Sequence, residues 1–319
     1  MRSFIHINAK TVDEAVSLLT QYGKKARVIA GGTDLLGTMK DEIHPTYPEV
    51  IINLKTIEPS LEYIKEEGGV LKIGALTKLY DIEASSLVKE KYPALAQAAH
   101  AVGSPHIREM GTIGGNLCQE VRCWYYRQPG NRFYCVRKGG PVCYAMSGDN
   151  RYHSIFGGPF GCYAAHPSDT APALMALNAT LVTNKRTIPI DKFFHDLAGT
   201  VLEDNELLTE VQVPTPPAGA KQTYIKFRIR KSIDFPIVGV ASMIKLEAGT
   251  VSDARIALGA VAPKPIRATA AEEKLKGKTI SEQVADEVAA EAVKGAIAMS
   301  QNKYKIQITK TLVKRAILA

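Results

Sequence analysis

The cysteines are the residues whose type and spacing most clearly indicate chemistry. All five in the 319-residue chain fall in one window, at Cys118, Cys123, Cys135, Cys143 and Cys162. In a reducing compartment, clustered cysteines indicate metal binding or catalysis more often than disulfide bonds. The last four follow the spacing C-x11-C-x7-C-x18-C without a C-x-x-C pair, so a zinc ribbon is not indicated. From spacing alone, zinc, an iron–sulfur cluster and a loop without metal all remain open.

Two glycine-rich turns suit the binding of a phosphate group. A short apolar strand at residues 26–30 runs into Gly31-Gly32-Thr33-Asp34, and TIGGN occupies residues 112–116. Glycine permits positive φ and carries no Cβ, so successive amides can converge on an anion. Thr33 and Asp34 are suited to bond a phosphate or sugar hydroxyls and to cap the next helix. No Rossmann or P-loop motif is present, and the expectation is a phosphorylated cofactor beside a thiolate-bound metal.

The segment that carries the cysteines predicts an ordered loop. Its many glycines indicate turns, and a loop this long is usually functional or disordered. Its aromatic residues, Trp124 and Tyr125 among them, argue against disorder. Cys118 is expected to be a small packed residue rather than a ligand. Of the nearby histidines, His166 is the one expected to face a cofactor.

Composition limits the function classes. A hydrophobic fraction of 45% and a charged fraction of 23% are ordinary for a globular chain of two or three domains. No apolar run reaches the roughly 18 residues of a membrane span, and no secretory signal is present. We therefore expect no membrane insertion and a cytoplasmic location, unless a partner's export signal directs the protein to the periplasm.

The net charge of +8 admits two interpretations. The positive charge could bind a nucleic acid, or it could belong to a solvated surface or to a docking face for an acidic partner. Lysine and arginine are spread along the chain, without a basic motif interleaved with aromatic residues. No nucleic-acid partner is expected.

The predicted elements change character along the chain. Thr11 and Glu14 form a capping box that begins a helix ending at Gly23. Hairpins and short helices follow, and a proline-rich linker occupies residues 214–219. Beyond it, strands at 223–229, 238–246 and 254–261 precede helices at 270–275, 281–299 and about 308–318. This pattern predicts an α+β C-terminal domain.

Three motifs in order resemble a known family. IAGGTDLL (29–36), IREMGTIGGNLC (107–118) and HPSDTAPAL (166–174) resemble the FAD-binding subunit of the molybdenum hydroxylases, the xanthine dehydrogenase family that includes the medium subunit of carbon monoxide dehydrogenase. The similarity runs nearly end to end. It implies an α+β fold: a two-part FAD-binding domain of the PCMH/vanillyl-alcohol-oxidase type (1–58 and 59–215), then a C-terminal α+β domain like that of the CO dehydrogenase flavoprotein (220–319).

The resemblance also implies which residues bind FAD. The first two motifs hold the pyrophosphate in that family, and the aspartate of the third lies against the ribityl side of the flavin. Lys226 is a predicted tuner of the flavin, with an ordinary strand lysine as the alternative. The implied residues are Ile29, Ala30, Gly31, Gly32, Thr33, Asp34, Leu35, Leu36, Thr112, Ile113, Gly114, Gly115, Asn116, Asp169 and Lys226.

An inserted cysteine loop at 117–165 resembles a narrower group. Most family members pass from GGN to the third motif in a much shorter interval. The longer loop is similar to that of the flavin subunits of 4-hydroxybenzoyl-CoA reductase and of a bacterial aromatic aldehyde oxidoreductase. In both, four cysteines of this loop bind a [4Fe-4S] cluster. The resemblance implies Cys123, Cys135, Cys143 and Cys162 as ligands and leaves Cys118 out.

The implied function is electron transfer in a multi-subunit oxidoreductase. Substrate chemistry would occur on a large molybdenum-cofactor subunit, with a small [2Fe-2S] subunit as relay, in a heterotrimer or a dimer of heterotrimers. No catalytic residue is expected in this chain. One alternative is a stand-alone FAD oxidoreductase with a structural zinc loop. Another is a zinc-stabilised scaffold without flavin, and the intact glycine turns argue against it.

Overall fold

The N-terminal part of the chain forms a small parallel sheet. The structure is a computed structural model that describes residues 1–197 and 199–319. Its first elements are β1 (Ile5–Asn8), α1 (Val12–Tyr22), β2 (Ala26–Ile29), α2 (Leu35–Lys40) and β3 (Val50–Asn53). The three strands lie in the order β1-β3-β2. The predicted cap of α1 is confirmed, because the Glu14 amide donates to the Thr11 hydroxyl at 3.1 Å.

The middle part of the chain surrounds a five-stranded antiparallel sheet, in the order β4-β5-β10-β6-β7. Its elements are β4 (Ile64–Glu67), β5 (Val70–Gly74), α3 (Leu79–Ala84), α4 (Ser86–Lys91), α5 (Pro93–Ala101), α6 (Pro105–Met110), α7 (Ile113–Cys118), α8 (Thr170–Ala176), β6 (Thr180–Thr183), β7 (Thr187–Pro189), α9 (Ile190–Phe193), β8 (Phe194–His195), β9 (Gly199–Thr200) and β10 (Leu208–Pro214). The predicted hairpin across residues 67–69 is confirmed by the pairing of β4 with β5.

The C-terminal part forms an antiparallel sheet in the order β11-β12-β13-β14, with helices after it. The elements are β11 (Lys221–Phe227), β12 (Val238–Glu247), β13 (Thr250–Gly259), β14 (Ile266–Arg267), α10 (Thr269–Leu275), α11 (Glu282–Ala292) and α12 (Tyr304–Leu318). Helices α10 and α12 pack on the sheet, and α5 and α8 of the middle part also contact it. Side chains alternate accordingly: Val240 belongs to the core under α10–α12, and Ala241 to the core shared with α5 and α8.

Two predictions about helices are wrong. The predicted helix at 281–299 ends at Ala292, because the chain turns through Gly295 at a φ of 86°. The TIGGN turn is itself the start of α7, with Thr112 as its cap. Glycine, which favours tight turns, here lies in the first turn of a helix.

The cysteine segment between α7 and α8 is an ordered loop, as predicted. Its described regular structure consists of single 3₁₀ turns, at Pro129–Asn131, Val136–Lys138, Tyr144–Met146 and Pro159–Gly161. It has a small core of its own, to which Val121 and Tyr126 contribute. Across the two described ranges, none of the helices combines the length and apolar character that a membrane span requires.

Candidate functional site

A groove made of two adjoining cavities runs along the glycine-rich motifs. The first cavity measures about 290 Å³ and the second about 230 Å³. Both are lined by Thr33, Asp34, Thr112, Gly115 and Gln119, which form their common wall. The AGGTDLL and TIGGN motifs therefore meet at the centre of an elongated groove. That shape suits a dinucleotide with one end in each cavity.

The AGGTDLL turn presents unused backbone donors to this groove. Within the described part of the chain, the amides of residues 31–35 have no hydrogen-bond acceptor. Gly32 has a φ of +72°, a conformation that L side chains rarely adopt. A Cβ on Gly31 would overlap the carbonyl oxygen of Met110. The two glycines thus let the turn lie directly on the end of α6 while its amides stay open, as an anion-binding nest requires.

The TIGGN amides, in contrast, are already bonded. Ile113 and Gly114 donate to backbone carbonyls at 2.9 Å, and Gly115 donates to the Thr112 hydroxyl at 3.1 Å. The expectation of a second open nest at these amides is wrong, since the carbonyl oxygens of Thr77 and Ala75 and the Thr112 hydroxyl already accept from them. The glycines serve close approach instead: a Cβ on Gly114 would lie 2.8 Å from the Ala75 carbonyl oxygen. Gly115 remains exposed in the wall of the groove.

Most of the sequence-predicted FAD residues line the groove. Those that do are Ile29, Ala30, Gly31, Gly32, Thr33, Asp34, Leu35, Thr112, Gly114, Gly115, Asn116 and Asp169. Leu36, Ile113 and Lys226 line neither cavity; Ile113 is fully buried in the main core. His166, expected to face a cofactor, is buried against the Phe194 ring, with centroids 4.7 Å apart. Burial lowers the pKa of His166 to about 3.

The Asp34 carboxylate does not cap α2 as predicted. It accepts hydrogen bonds from the Glu120 amide at 2.9 Å and from Arg127 at 2.6 Å, and it pairs with Arg122 at 2.9 Å. All three partners belong to the start of the cysteine loop. Sequence reasoning did not identify Arg122, because its only distinguishing signal is its position next to Cys123. Burial lowers the pKa of Arg122 to about 10, so the side chain remains a cation at neutral pH.

Asp169, at the wall of the second cavity, lies in a buried ion pair. Its carboxylate accepts from Lys226 Nζ at 2.8 Å and from the Tyr224 hydroxyl at 2.6 Å. Burial raises the pKa of Asp169 and lowers the pKa of Lys226, and the attraction between the two charges opposes both shifts. Only 4% of the Lys226 side chain is exposed. Lys226 therefore reaches the groove only through Asp169.

The four spaced cysteines come together in the structure. Cys123, Cys135, Cys143 and Cys162 all line one small cavity of the loop. Burial raises the pKa of Cys123 to about 12, and the nearby charges of Cys143 and Cys162 add to the effect. Cys118 lies apart from them, in the wall of the first cavity. This arrangement separates the fifth cysteine from the other four, as the sequence comparison of loops implied.

His153 is a further residue in contact with one of the four cysteines that the sequence did not indicate. Its Nε2 lies 3.3 Å from Cys123 Sγ. The C-terminal part of the chain holds its backbone: the carbonyl oxygen of His153 accepts from Asn302 at 3.1 Å and from the fully buried Lys305 at 3.0 Å. The contact depends on segments about 150 residues apart, which a local pattern does not show.

The cysteine cavity does not have the geometry of a single-ion site. Among the residues that the structure describes, no group of three or more His, Cys, Asp or Glu side chains is placed to hold one metal ion. One tetrahedral ion such as zinc draws all its ligands to a single point. A cubane cluster spreads its ligands over four irons. The thiols as placed in the described residues therefore form no preassembled site for a single ion such as zinc.

Comparison with known proteins identifies the family. Residues 2–216 match the model of the FAD binding domain in molybdopterin dehydrogenase, and residues 222–319 match that of the CO dehydrogenase flavoprotein C-terminal domain. The chain belongs to the FAD-binding subunits of the molybdenum hydroxylases. This molybdenum hydroxylase subunit is therefore part of a multi-subunit oxidoreductase, and the predicted α+β fold class is confirmed.

Relatives of this FAD-binding subunit span nearly its whole length. It is 36% identical to the aldehyde oxidoreductase FAD-binding subunit PaoB of Escherichia coli, over 86% of each chain. It is 33% identical to the carbon monoxide dehydrogenase medium chain of Hydrogenophaga pseudoflava, over 97% of this chain and 94% of that one. A solved structure of carbon monoxide dehydrogenase from Hydrogenophaga pseudoflava superposes with a TM-score of 0.79 at 32% identity, covering 100% of this chain and 97% of that one.

Proposed function

We propose that FAD lies along the groove with its pyrophosphate on the AGGTDLL turn. The observation that carries this placement is the row of open amides at residues 31–35. Backbone amides in a glycine turn bind phosphate without a charged side chain. The flavin ring then occupies the second cavity, whose wall includes the apolar residues Leu79, Ile107 and Phe235 and the carboxylate of Asp169. The adenosine end occupies the first cavity.

We also propose the domain division expected from the sequence, with a two-part FAD-binding domain at 1–58 and 59–215 and a C-terminal domain at 220–319.

We further propose that Cys123, Cys135, Cys143 and Cys162 bind a [4Fe-4S] cluster. Four cysteines in one cavity match the ligand count of such a cluster. Burial raises the pKa of Cys123 and Cys135, so ionisation of these two thiols would accompany metal binding. The resemblance of the loop to those of the two [4Fe-4S]-containing subunits supports the same assignment. The particular closeness to 4-hydroxybenzoyl-CoA reductase stays a prediction.

The two proposed redox sites adjoin each other. Arg122 lines the flavin cavity, and the next residue, Cys123, lines the cysteine cavity. Consecutive Cα atoms are about 3.8 Å apart, so one peptide unit joins the two walls. A flavin exchanges one or two electrons and suits a junction between one-electron carriers and other acceptors. This proximity favours electron transfer between FAD and the cluster as the function of the subunit.

The subunit would work with two partners. We propose a large molybdenum-cofactor subunit, where substrate is converted, and a small [2Fe-2S] subunit, in a heterotrimer or a dimer of heterotrimers. The names of the relatives as an FAD-binding subunit and a medium chain support a multi-subunit complex. We propose a cytoplasmic location, or a periplasmic one if a partner supplies the export signal.

Co-expression tests the proposed assembly. The full chain is produced alone and together with candidate molybdenum-cofactor and [2Fe-2S] subunits, and each sample is separated by size exclusion under anaerobic conditions. We expect all three chains to co-elute, and a substrate of the molybdenum-cofactor subunit to bleach the flavin absorbance only in the assembled complex. Direct bleaching of the lone chain by the same substrate would favour a stand-alone FAD oxidoreductase instead.

A further inference from the structure

Arg122 is the basic side chain that faces the proposed flavin cavity. It lines that cavity together with Phe235, and its guanidinium carbon lies 4.4 Å from the centroid of the Phe235 ring. Its terminal nitrogens bond to Asp34 at 2.9 Å and to Gln119 at 3.1 Å. In the described residues its Nε has no acceptor, and 25% of the side chain is open. Asp34 and Gln119 thus fix the orientation of this guanidinium without using all of its hydrogen-bond donors.

Two other cations close to the second cavity, Lys226 and Arg127, are directed elsewhere. Lys226 Nζ donates to Asp169 in a buried ion pair and to the Ala101 carbonyl oxygen at 2.9 Å. Arg127 shares the Asp34 carboxylate with Arg122, but it lines neither cavity and bonds to the Val121 carbonyl oxygen at 2.7 Å. One carboxylate therefore serves two guanidinium groups. Of these cations only Arg122 lines the second cavity, so its guanidinium is the positive charge that faces the proposed flavin site.

We propose that Arg122 stabilises the reduced form of FAD by placing this charge beside the flavin ring. A flavin that takes up two electrons and one proton gains one negative charge, which a nearby cation favours over the neutral oxidised ring. The electrons come from the partner subunits in the complex, or from added dithionite in a titration. The inference rests on the proposed placement of the ring in the second cavity, but it does not depend on the cluster. It assigns to Arg122 the role expected from the sequence for Lys226.

The position of Arg122 also gives the cysteine loop a second role. The same short segment supplies the flavin's cation and, one residue later, the first cysteine of the proposed cluster site. The Asp34 carboxylate anchors this segment to the AGGTDLL turn. The loop would therefore tune the flavin whether or not its cluster is loaded.

Redox titration of the bound FAD tests the proposal. Arg122→Gln and Arg122→Lys are compared with Arg127→Gln, which removes the other partner of Asp34 without altering the cavity wall. At the potential that half-reduces wild-type FAD, we expect Arg122→Gln to lower the ratio of reduced to oxidised FAD about tenfold, equivalent to about 30 mV for two electrons. Arg122→Lys should recover most of the ratio, and Arg127→Gln should stay within about twofold of wild type.

The visible spectrum of bound oxidised FAD separates the possible failures. An altered spectrum in Arg122→Gln with an unchanged potential overturns the role of Arg122 and leaves the ring placement intact. An unaltered spectrum and potential overturn both the placement and the role. If Arg122→Gln loses FAD while Arg122→Lys retains it, the charge contact is supported. Equal loss of FAD from all three variants reduces Arg122 to a packing role and contradicts the proposal.

Discussion

Replacing Cys123, Cys135, Cys143 or Cys162 by serine is expected to remove the iron of the protein almost completely. A [4Fe-4S] cluster needs a thiolate on each of its four irons, and a serine hydroxyl is a poor substitute. We expect iron to fall from about four atoms per chain to less than about one, with loss of the broad visible absorbance of the cluster. FAD should be retained, because these four side chains do not line the groove.

Cys118→Ser is the matched control for this series. Cys118 belongs to the same stretch of chain but lies in the wall of the first cavity, away from the other thiols. We expect it to keep its iron. Full iron content in any of the four cavity variants, or equal loss in Cys118→Ser, would contradict the assignment of ligands. Iron is measured by metal analysis on protein purified without oxygen.

Gly31→Ala is expected to weaken FAD binding strongly. The added Cβ would overlap the carbonyl oxygen of Met110, which belongs to the backbone and cannot move aside as a side chain does. The AGGTDLL turn must then leave its place, and its open amides no longer converge on the pyrophosphate. We expect FAD affinity to fall about a thousandfold, equivalent to about 4 kcal/mol. Equilibrium titration of the FAD-free protein with FAD measures the change.

Gly37→Ala provides the control for a glycine in the same region. Gly37 lies inside α2 with an ordinary helical φ, and a Cβ there would meet nothing within 4 Å. Alanine should leave FAD affinity unchanged and stabilise the helix by about 0.5–1 kcal/mol. Similar affinities for Gly31→Ala and wild type would show that the pyrophosphate does not depend on this turn.

Local chemistry made several elements predictable. Thr11 caps α1 because the capping pattern acts over three residues, and Gly23 ends that helix in a left-handed conformation. Gly31 and Gly32 form the expected open turn for the same reason. In these cases the residues that determine the structure are neighbours in the chain, so the local sequence is sufficient to predict the structure.

Long-range contacts explain what the sequence did not show. The Asp34 carboxylate was expected at the start of α2, and it is held instead by Arg127, 93 positions away. The helix expected to reach residue 299 stops earlier, and Asn302 in the following segment bonds to His153 of the cysteine loop. Neither partner can be inferred from propensity or periodicity. The grouping of the four cysteines came from the family resemblance, since their spacing alone left several alternatives.

The most direct test of the proposed cofactors is the content of iron, zinc and flavin in the full chain, measured together with its visible spectrum on protein purified without oxygen. We expect about four irons and one FAD per chain, with zinc close to zero. FAD accompanied by zinc, or by no metal, would contradict the [4Fe-4S] assignment and leave the cysteine loop as a structural feature of a flavoprotein.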